Sequence, residues 1–166
     1  MKISPIERFI RWFGGSEFGR VTDVFCVRWF SFSPIIWVFT KNDNSGYNNP
    51  CIFTSYGRKS GLERATVLPA FPTGDGKLMI VGSRGGTEKD PHWAHNLRAR
   101  PEGKMRYKRR DYAVTTRLLE GDERDRKFEI CCQHAPVYRR YQEWANRYPR
   151  TLPVFEIAST DQQAFN

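Results

Sequence analysis

The sequence contains no long apolar run, and this absence removes most membrane-embedded proteins from consideration. Its most aromatic stretch, Trp29 to Phe39, has eleven residues and is interrupted by Pro34. A membrane-spanning helix needs about 20 apolar residues, so this stretch is not expected to cross a bilayer. No small-residue cleavage site follows it, so it is also a poor signal peptide. We therefore predict a cytoplasmic protein.

Cysteine and histidine are scarce, and their positions argue against metal and disulfide chemistry. The four cysteines, at positions 26, 51, 131 and 132, form no CxxC pair and lie at no zinc-type spacing from a histidine. His95 and His134 have no accompanying serine and carboxylate, so a hydrolytic triad is not favoured, and His92 is a weak catalytic candidate. We predict reduced thiols and no metal site.

Acidic residues are outnumbered by basic ones, which gives a formal net charge of +9 and an isoelectric point near 9.7. Residues 98–117 alone hold eight Lys or Arg against two acids. Three interpretations remain open: a solvated strand face, a nucleic-acid surface, or attraction of a polyanionic small ligand or anionic membrane. Because no helix-turn-helix, zinc-finger or RNP motif accompanies the charge, we predict no nucleic-acid partner.

The pattern of the remaining chain favours a mainly β (α+β) fold. Strands are predicted at 51–56, 65–71, 77–83, 104–110, 112–119 and 152–158, with hairpin turns at Gly74-Asp75-Gly76 and around Arg110-Asp111. Helices are predicted from Asp90, as an N-cap followed by Pro91, and at 122–133 and 136–147. This arrangement is typical of a β-barrel with peripheral helices.

The first 45 residues are predicted to form an N-terminal extension, and residues 46–166 to form the barrel domain. Ser4-Pro5-Ile6-Glu7 resembles a capping box, and an apolar stripe follows it with Arg8 and Arg11 opposite. The stripe consists of Ile6, Phe9, Ile10 and Phe13. Such an amphipathic helix either packs on the barrel with Trp29 to Phe39 or lies on the anionic inner face of the cell membrane.

Two glycine-rich runs with basic residues carry most of the functional information. They are Gly57-Arg58-Lys59-Ser60-Gly61, followed by Arg64, and Gly82-Ser83-Arg84-Gly85-Gly86, followed by Asp90-Pro91-His92-Trp93 and Asn96. Glycine lets backbone N–H groups approach a ligand closely, and Arg or Lys supplies positive charge. Either run alone is an ordinary basic turn, but together they predict a site for a phosphate or carboxylate.

These runs resemble the deazaflavin-dependent nitroreductases, a family of the flavin/deazaflavin oxidoreductases that uses coenzyme F-420. The matching segments are 54–61, 81–93 and 96–97, with 138–144 and 152–154 near the C-terminus, so the resemblance covers roughly residues 50–158. It implies a split β-barrel of the flavin-reductase and pyridoxamine-phosphate-oxidase type. Coenzyme F-420 carries a phosphate and an oligoglutamate tail, which a positive groove would attract, and flavin mononucleotide is the less favoured cofactor.

The resemblance also implies roles for individual residues. Arg58, Lys59, Ser60 and Arg64 correspond to the clamp that holds the phosphate and tail of the cofactor. Gly82, Ser83, Arg84, Gly85 and Gly86 correspond to the loop beside and under the deazaflavin ring, and Trp93 and Asn96 to residues that line the cofactor site. Trp93 is equally well explained as an anchor of the core.

Tyr138, Tyr141 and Ser83 are the predicted catalytic residues. The two tyrosines share a helix face, which alone indicates a packed aromatic stripe, but the resemblance implies that they face the hydride acceptor. A family tyrosine three positions before Tyr138 is replaced by Ala135, so the acceptor stays open among quinones, enones and nitroaromatics. The alternative function is a non-catalytic split barrel that binds a lipid, a fatty acid, haem or another cofactor.

Overall fold

The computed structural model describes residues 16–41, 43–161 and 163–165, which form one antiparallel sheet with helices around it. The helices are α1 (Glu17–Phe30), α2 (Pro34–Lys41), α3 (His92–Ala99), α4 (Gly121–His134) and α5 (Val137–Ala145). The strands are β1 (Pro50–Tyr56), β2 (Glu63–Pro69), β3 (Phe71–Pro72), β4 (Leu78–Val81), β5 (Glu102–Tyr107), β6 (Arg110–Leu118) and β7 (Val154–Ser159). A 3-10 turn covers Arg84–Gly86.

The sheet has the strand order β2-β1-β5-β6-β7-β4-β3, and every neighbouring pair is antiparallel. It curls into a half-barrel that brings β2 near β4. Alternate residues of β5 and β6 are buried, so one face of the curl carries apolar side chains such as Met105, Tyr107 and Val114. The prediction of a mainly β barrel with peripheral helices is confirmed.

A second apolar cluster lies between the sheet and helices α4 and α5. Phe71, Met79 and Val154 from the strands pack there with Phe128 and Cys131 of α4. All four cysteines are free thiols, as expected. Burial raises the pKa of Cys51 to about 12 and that of Cys132 to about 11, so these sulfurs remain protonated fillers of the core at neutral pH.

The predicted elements match the structure apart from local differences at Ala70, at Asp90 and at the β5–β6 turn. The predicted strand 65–71 is split at Ala70, whose N–H donates to the carbonyl of Asn49, so that β2 and β3 join different ends of the sheet. The predicted N-cap at Asp90 is wrong: α3 begins at His92, and the Asp90 carboxylate instead binds Arg150 and Arg98.

Residues 17–41 form a helical corner that sequence reasoning left unassigned. Ser16 caps α1 by accepting a hydrogen bond from the N–H of Gly19, and α2 starts after a short break at a bend of 95°. In the part of the chain that the structure describes, no single helix has the length and apolar composition of a membrane span. Helices α1 and α2 have that length and composition only when they are taken together, across their bend. The predicted helix at 4–13 lies outside the described residues, and the division at residue 45 stays a prediction.

The turn between β5 and β6 is strained, and this leads to a stability prediction. The reversal falls at Lys108 and Arg109, not at Arg110-Asp111, and both residues have positive φ, 46° and 65°. Such hairpin turns favour Asn-Gly because a left-handed backbone costs other residues about 1–2 kcal/mol each.

We expect the double change Lys108→Asn, Arg109→Gly to raise Tm by roughly 2–4 °C for each kcal/mol gained in the free energy of unfolding. Thermal unfolding followed by circular dichroism measures this, with Arg110→Gly, at an ordinary strand position, as the control that should bring no gain.

Candidate active site

The basic glycine run forms a tight loop between β1 and β2. The N–H of Gly57 donates to the carbonyl of Leu62 at 2.8 Å, and the N–H of Gly61 donates to the carbonyl of Gly57 at 2.7 Å. Gly61 has a φ of +68°, and a Cβ on Gly57 would stand 2.7 Å from the Ser60 hydroxyl oxygen. The positive φ favours glycine at position 61, whereas a side chain at position 57 would displace the Ser60 hydroxyl. The loop closes with the Arg58 and Lys59 side chains exposed to solvent.

This loop lines the first of two neighbouring cavities, with a volume of about 550 Å³. Arg58, Lys59, Ser60 and Arg64 lie on one side, and His92, Trp93 and Asn96 of the α3 segment lie on the other. Arg20 of α1 completes the lining. Four of the lining residues are cations and none is acidic, so the cavity presents a positive surface.

Three of the four cations of this cavity have no carboxylate partner among the residues that the structure describes, whereas the fourth, Arg20, lies 4.0 Å from Glu17. Arg58, Lys59 and Arg64 make no ion pair with any carboxylate of the described chain. The basic run at 98–117, by contrast, is largely paired with acids: Arg98–Asp90, Arg100–Glu102, Lys104–Glu63, Arg106–Asp111 and Arg117 with Glu123 and Glu156. Within the described chain, the cations of the 98–117 run that lack an ion pair are Lys108, Arg109 and Arg110, at the turn between β5 and β6. The first cavity gathers three further cations of this kind on one lining.

Asn96 joins the basic loop to helix α3. Its side-chain oxygen accepts from the N–H of Arg58 at 3.2 Å, and its amide nitrogen donates to the Ser55 hydroxyl at 3.2 Å. The side chain is 5% exposed, so its amide is used to hold the loop in place. Trp93 is both a cavity wall and a core residue, because its ring packs against Phe155 with centroids 5.7 Å apart.

The second glycine run follows β4 and is held by a buried arginine. Arg150 donates from Nε to Asp90 at 2.8 Å, and its Nη atoms donate to the carbonyls of Gly82, Ser83 and Thr87. A Cβ on Gly86 would stand 2.5 Å from the carbonyl oxygen of Tyr141, so the loop packs directly on α5. Only glycine allows this close approach, and the contact fixes the position of Ser83 relative to the tyrosines.

Ser83 and the two tyrosines line the second cavity, which has a volume of about 350 Å³. Arg84, Gly85 and Thr87 belong to its lining, together with Val67 and Pro69 of β2 and Val137 of α5. Its fourth side is helix α2, through Ile35, Ile36, Phe39 and Thr40. Strand β2 contributes to both cavities: Arg64, Ala65 and Thr66 line the first, and Val67 and Pro69 line the second.

Tyr138 is at once a core residue and a cavity wall. It is 6% exposed, and its ring packs edge-on against Phe71 and Tyr141 at centroid distances of 5.4 and 5.8 Å. Burial raises the pKa of Tyr138 well above its ordinary value, so the hydroxyl stays protonated and can donate. Ala135 is completely buried in the core between α4 and α5.

The structure divides the predicted site residues between the two cavities. Arg58, Lys59, Ser60, Arg64, Trp93 and Asn96 line the first, and Ser83, Arg84, Gly85, Tyr138 and Tyr141 line the second. Gly82 and Gly86 line neither cavity and instead pack against Pro153 and α5. Sequence reasoning missed Arg20, Arg150 and the α2 wall. Of these three features, only the α2 wall has a recognisable pattern in the sequence. The spacing that places residues on one helix face is shared by Ile35, Ile36, Phe39 and Thr40.

Comparison with known proteins adds independent support. A family described as F420H(2)-dependent quinone reductase matches residues 42–157. An F420H(2)-dependent quinone reductase of Mycobacterium tuberculosis (strain H37Rv) and a putative one of Mycobacterium bovis are both 31% identical over 100 residues. The aligned region covers 59% of this chain and 65% of each relative, just under two thirds of their length.

Solved structures agree. The structure of an F420-H2 dependent reductase, FDR-A, is 32% identical with a TM-score of 0.59, and the match covers 66% of this chain and 93% of that one. A second, described as a domain-swapped dimer, is 29% identical with a TM-score of 0.59 and covers 75% and 99%. A haem-binding protein from Mycobacterium smegmatis, at 12% identity and a TM-score of 0.52 over 69% and 48%, shares the fold alone.

The family match spans most of the chain and contains both glycine runs and both tyrosines. It confirms the resemblance to deazaflavin-dependent enzymes and the split-barrel fold that this resemblance implied. The chain belongs to the F420H(2)-dependent quinone reductase family.

Proposed function

We propose that this protein is an oxidoreductase that uses reduced coenzyme F-420 to reduce a quinone. The proposal rests on one observation: a cavity with four cations and no acids lies beside a mostly apolar cavity lined by three hydroxyl-bearing catalytic candidates, Ser83, Tyr138 and Tyr141. The first suits an anionic tail and the second a flat, uncharged acceptor. The family name points to the same cofactor and acceptor class.

The residues of the first cavity fit the charged part of the cofactor. Arg58, Lys59 and Arg64 have no competing carboxylate within the described chain, so their charge is available to a phosphate or to glutamate carboxylates. Arginine binds phosphate in a bidentate manner, and lysine acts as a point charge. Asn96 keeps the loop in place through Arg58, and Arg20 adds a cation from α1.

In the second cavity the protein's own groups would position and polarise the acceptor. When bound, the reduced deazaflavin supplies a hydride. As the acceptor gains that hydride, negative charge develops on its carbonyl oxygen, and the protonated hydroxyls of Tyr138 and Ser83 would donate hydrogen bonds to it. Ile35, Phe39 and Val67 would exclude water from the same space. A proton taken from solvent completes the reduction to the hydroquinone.

The acceptor range is proposed to extend from quinones to enones and nitroaromatics, which share a flat shape and an electron-poor centre. Ala135 lies inside the core and does not line the second cavity, where Ser83, Tyr138 and Tyr141 are the hydroxyl-bearing candidates. Steady-state assays with one acceptor of each class would rank them. Activity confined to quinones would contradict the wider range.

Replacing a clamp cation should weaken cofactor binding. For Lys59→Ala and Arg64→Ala we expect a loss of about 1.5–3 kcal/mol, the usual value of a charged hydrogen bond. The affinity of the intact protein should also fall with rising salt, since these side chains are exposed and screened. Fluorescence titration of the cofactor at two ionic strengths measures both effects.

Lys104→Ala is the matched control, because Lys104 is paired with Glu63 and lies outside the first cavity. It should leave the dissociation constant unchanged. Equal dissociation constants for the control and both clamp variants would remove the clamp assignment. Displacement of the cofactor by flavin mononucleotide at comparable concentration would favour the alternative of a flavin-binding barrel.

Removing a hydroxyl from the second cavity should slow turnover without weakening cofactor binding. For Tyr138→Phe, Tyr141→Phe and Ser83→Ala we expect quinone turnover to fall about tenfold, the value of one lost transition-state hydrogen bond. Cofactor affinity should stay within about threefold, because the charged clamp contributes most of the binding energy. Tyr148→Phe, an exposed tyrosine outside both cavities, is the control. Normal turnover in all three variants would end the catalytic assignment.

The raised pKa of Tyr138 predicts a pH dependence. Burial favours the neutral phenol, so its proton stays bound as pH rises through 10, the ordinary value, and leaves only at higher pH. We therefore expect no alkaline loss of turnover from Tyr138 between pH 7 and about 10. A pH–rate profile of the wild-type protein that falls with a midpoint near 8, and a flat profile for Tyr138→Phe, would contradict this.

We further propose that helix α1 contacts the anionic inner face of the cell membrane. Val21, Phe25 and Trp29 follow one another at four-residue spacing and are 68%, 54% and 59% exposed. Together they form the α1 stripe, and Arg20 and Arg28 lie beside it with exposed charges that suit anionic headgroups. This contact would bring the second cavity near quinones dissolved in the bilayer, because α1 adjoins the α2 wall.

Co-sedimentation with vesicles tests the membrane contact. Vesicles with anionic lipid should pull down the wild-type protein, and Phe25→Ser with Trp29→Ser should abolish this while Tm is preserved. Leu62→Ser changes an equally exposed apolar residue elsewhere and serves as the control. If the wild-type protein ignores anionic vesicles, or if the control loses binding to the same extent, the α1 stripe has no such role.

A further inference from the structure

Helix α2 forms one wall of the second cavity although it precedes the stretch that matches the family, which begins at residue 42. Its residues Ile35 and Phe39 lie one helical turn apart and face Val137, Tyr138 and Tyr141 of α5 across the cavity. Ile36 and Thr40 lie on the same face and are buried. Part of the acceptor space is therefore built by a segment outside the family's matched region.

The N-terminal end of α2 is fixed by buried hydrogen bonds. The Ser33 hydroxyl accepts from the N–H of Ile36 at 3.0 Å and donates to the Asp23 carboxylate at 2.8 Å. Ser33 also exchanges two hydrogen bonds with the Asn48 side chain, through its N–H at 3.1 Å and its carbonyl at 2.7 Å. Asp23 and Ser33 are almost completely buried, so this joint is protected from water.

The C-terminal end is fixed as well. The Thr40 hydroxyl donates to the carbonyl of Tyr47 at 2.9 Å. Just beyond α2, Asp43 is paired with Arg140 of α5, the helix that forms the opposite wall. Because α2 is held at both ends and tied to α5, the width of the gap between the two helices is set before any ligand binds.

From this geometry we propose that Ile35 and Phe39 determine acceptor specificity, by packing against the apolar face of a fused two-ring quinone. The proposal rests on the proposed quinone reduction. Both side chains are half-buried at the cavity surface, so their free apolar area is available to a flat ring. A one-ring quinone covers less of this wall than a two-ring quinone, and loss of the wall should therefore affect the larger acceptor more.

The test compares Ile35→Ala and Phe39→Ala with Trp37→Ala. Trp37 is an aromatic residue of the same helix that lies outside the second cavity, against Phe32 and Lys41. For the two cavity variants we expect KM for a naphthoquinone to rise about tenfold, with kcat within about threefold. KM for a benzoquinone and the dissociation constant of the cofactor should change less than threefold. Trp37→Ala should resemble the wild-type protein in all four quantities.

Two further measurements keep the outcome decisive. Phe39→Leu retains most of the apolar volume and should show an intermediate KM, and Tm of each variant identifies any loss of folding. Titration calorimetry of menadione into the cofactor-free protein measures the wall contact without turnover, and its dissociation constant should rise in the two cavity variants alone. Equal effects in Trp37→Ala, or no change in Ile35→Ala and Phe39→Ala, would overturn the specificity role while quinone reduction stands. A wild-type protein that binds menadione but reduces no quinone would refute the proposed function instead.

Discussion

The buried guanidinium of Arg150 fixes the two cavities relative to each other. It donates to Asp90 and to the carbonyls of Gly82, Ser83 and Thr87, while Asp90 also binds Arg98 at the end of α3. The loop that contributes Ser83 to the second cavity and the helix that contributes Trp93 and Asn96 to the first are thus attached to one charged group. Removing one partner of such a buried pair typically costs about 3–5 kcal/mol, so the rest of the site depends on this residue.

Ion pairing distinguishes the basic residues of strands β5 and β6 from the clamp residues of the first cavity. Exposed ion pairs such as Lys104–Glu63 and Arg117–Glu123 add little to stability, typically below about 1 kcal/mol each. Their effect is to cancel most of the basic excess along β5 and β6. Arg58, Lys59 and Arg64 of the first cavity have no such partner in the described chain, and an approaching polyanion meets their combined field there. The net charge alone could not indicate this, because it does not record which cations have partners.

Sequence reasoning succeeded where the signal is local and failed where it depends on distant contacts. Local signals predicted the loop at 57–61, helices α4 and α5 and most strands. These signals are the positions of glycines, Pro136 and the alternation of apolar and polar residues, and each acts within a few residues. Arg150 could not be found in this way, because a lone arginine between two prolines has no local pattern that indicates four carbonyl and carboxylate partners. The sequence also could not show that Ser83 and Lys59 line different cavities, because this depends on how the sheet curls. The α2 wall was missed for another reason: dense aromatics and Pro34 obscured a helix-face pattern that was present.

The aromatic residues around the second cavity show how stability and chemistry share the same side chains. Tyr47 stacks on Phe71 at 5.1 Å, Phe71 contacts Tyr138 edge-on, and Tyr138 contacts Tyr141 in the same way, so a continuous row of rings runs from the core to the cavity. The rings contribute burial energy, and the last two of the row, Tyr138 and Tyr141, also line the cavity. A ring held in this way loses little further entropy when an acceptor binds, since its rotamer is already fixed. With α2 also held at both ends, the tyrosine row and the Ile35–Phe39 wall form two rigid surfaces. We therefore expect the fixed width of the gap between these surfaces to determine which acceptors bind. One of the two surfaces, the Ile35–Phe39 wall, lies outside the residues that match the family.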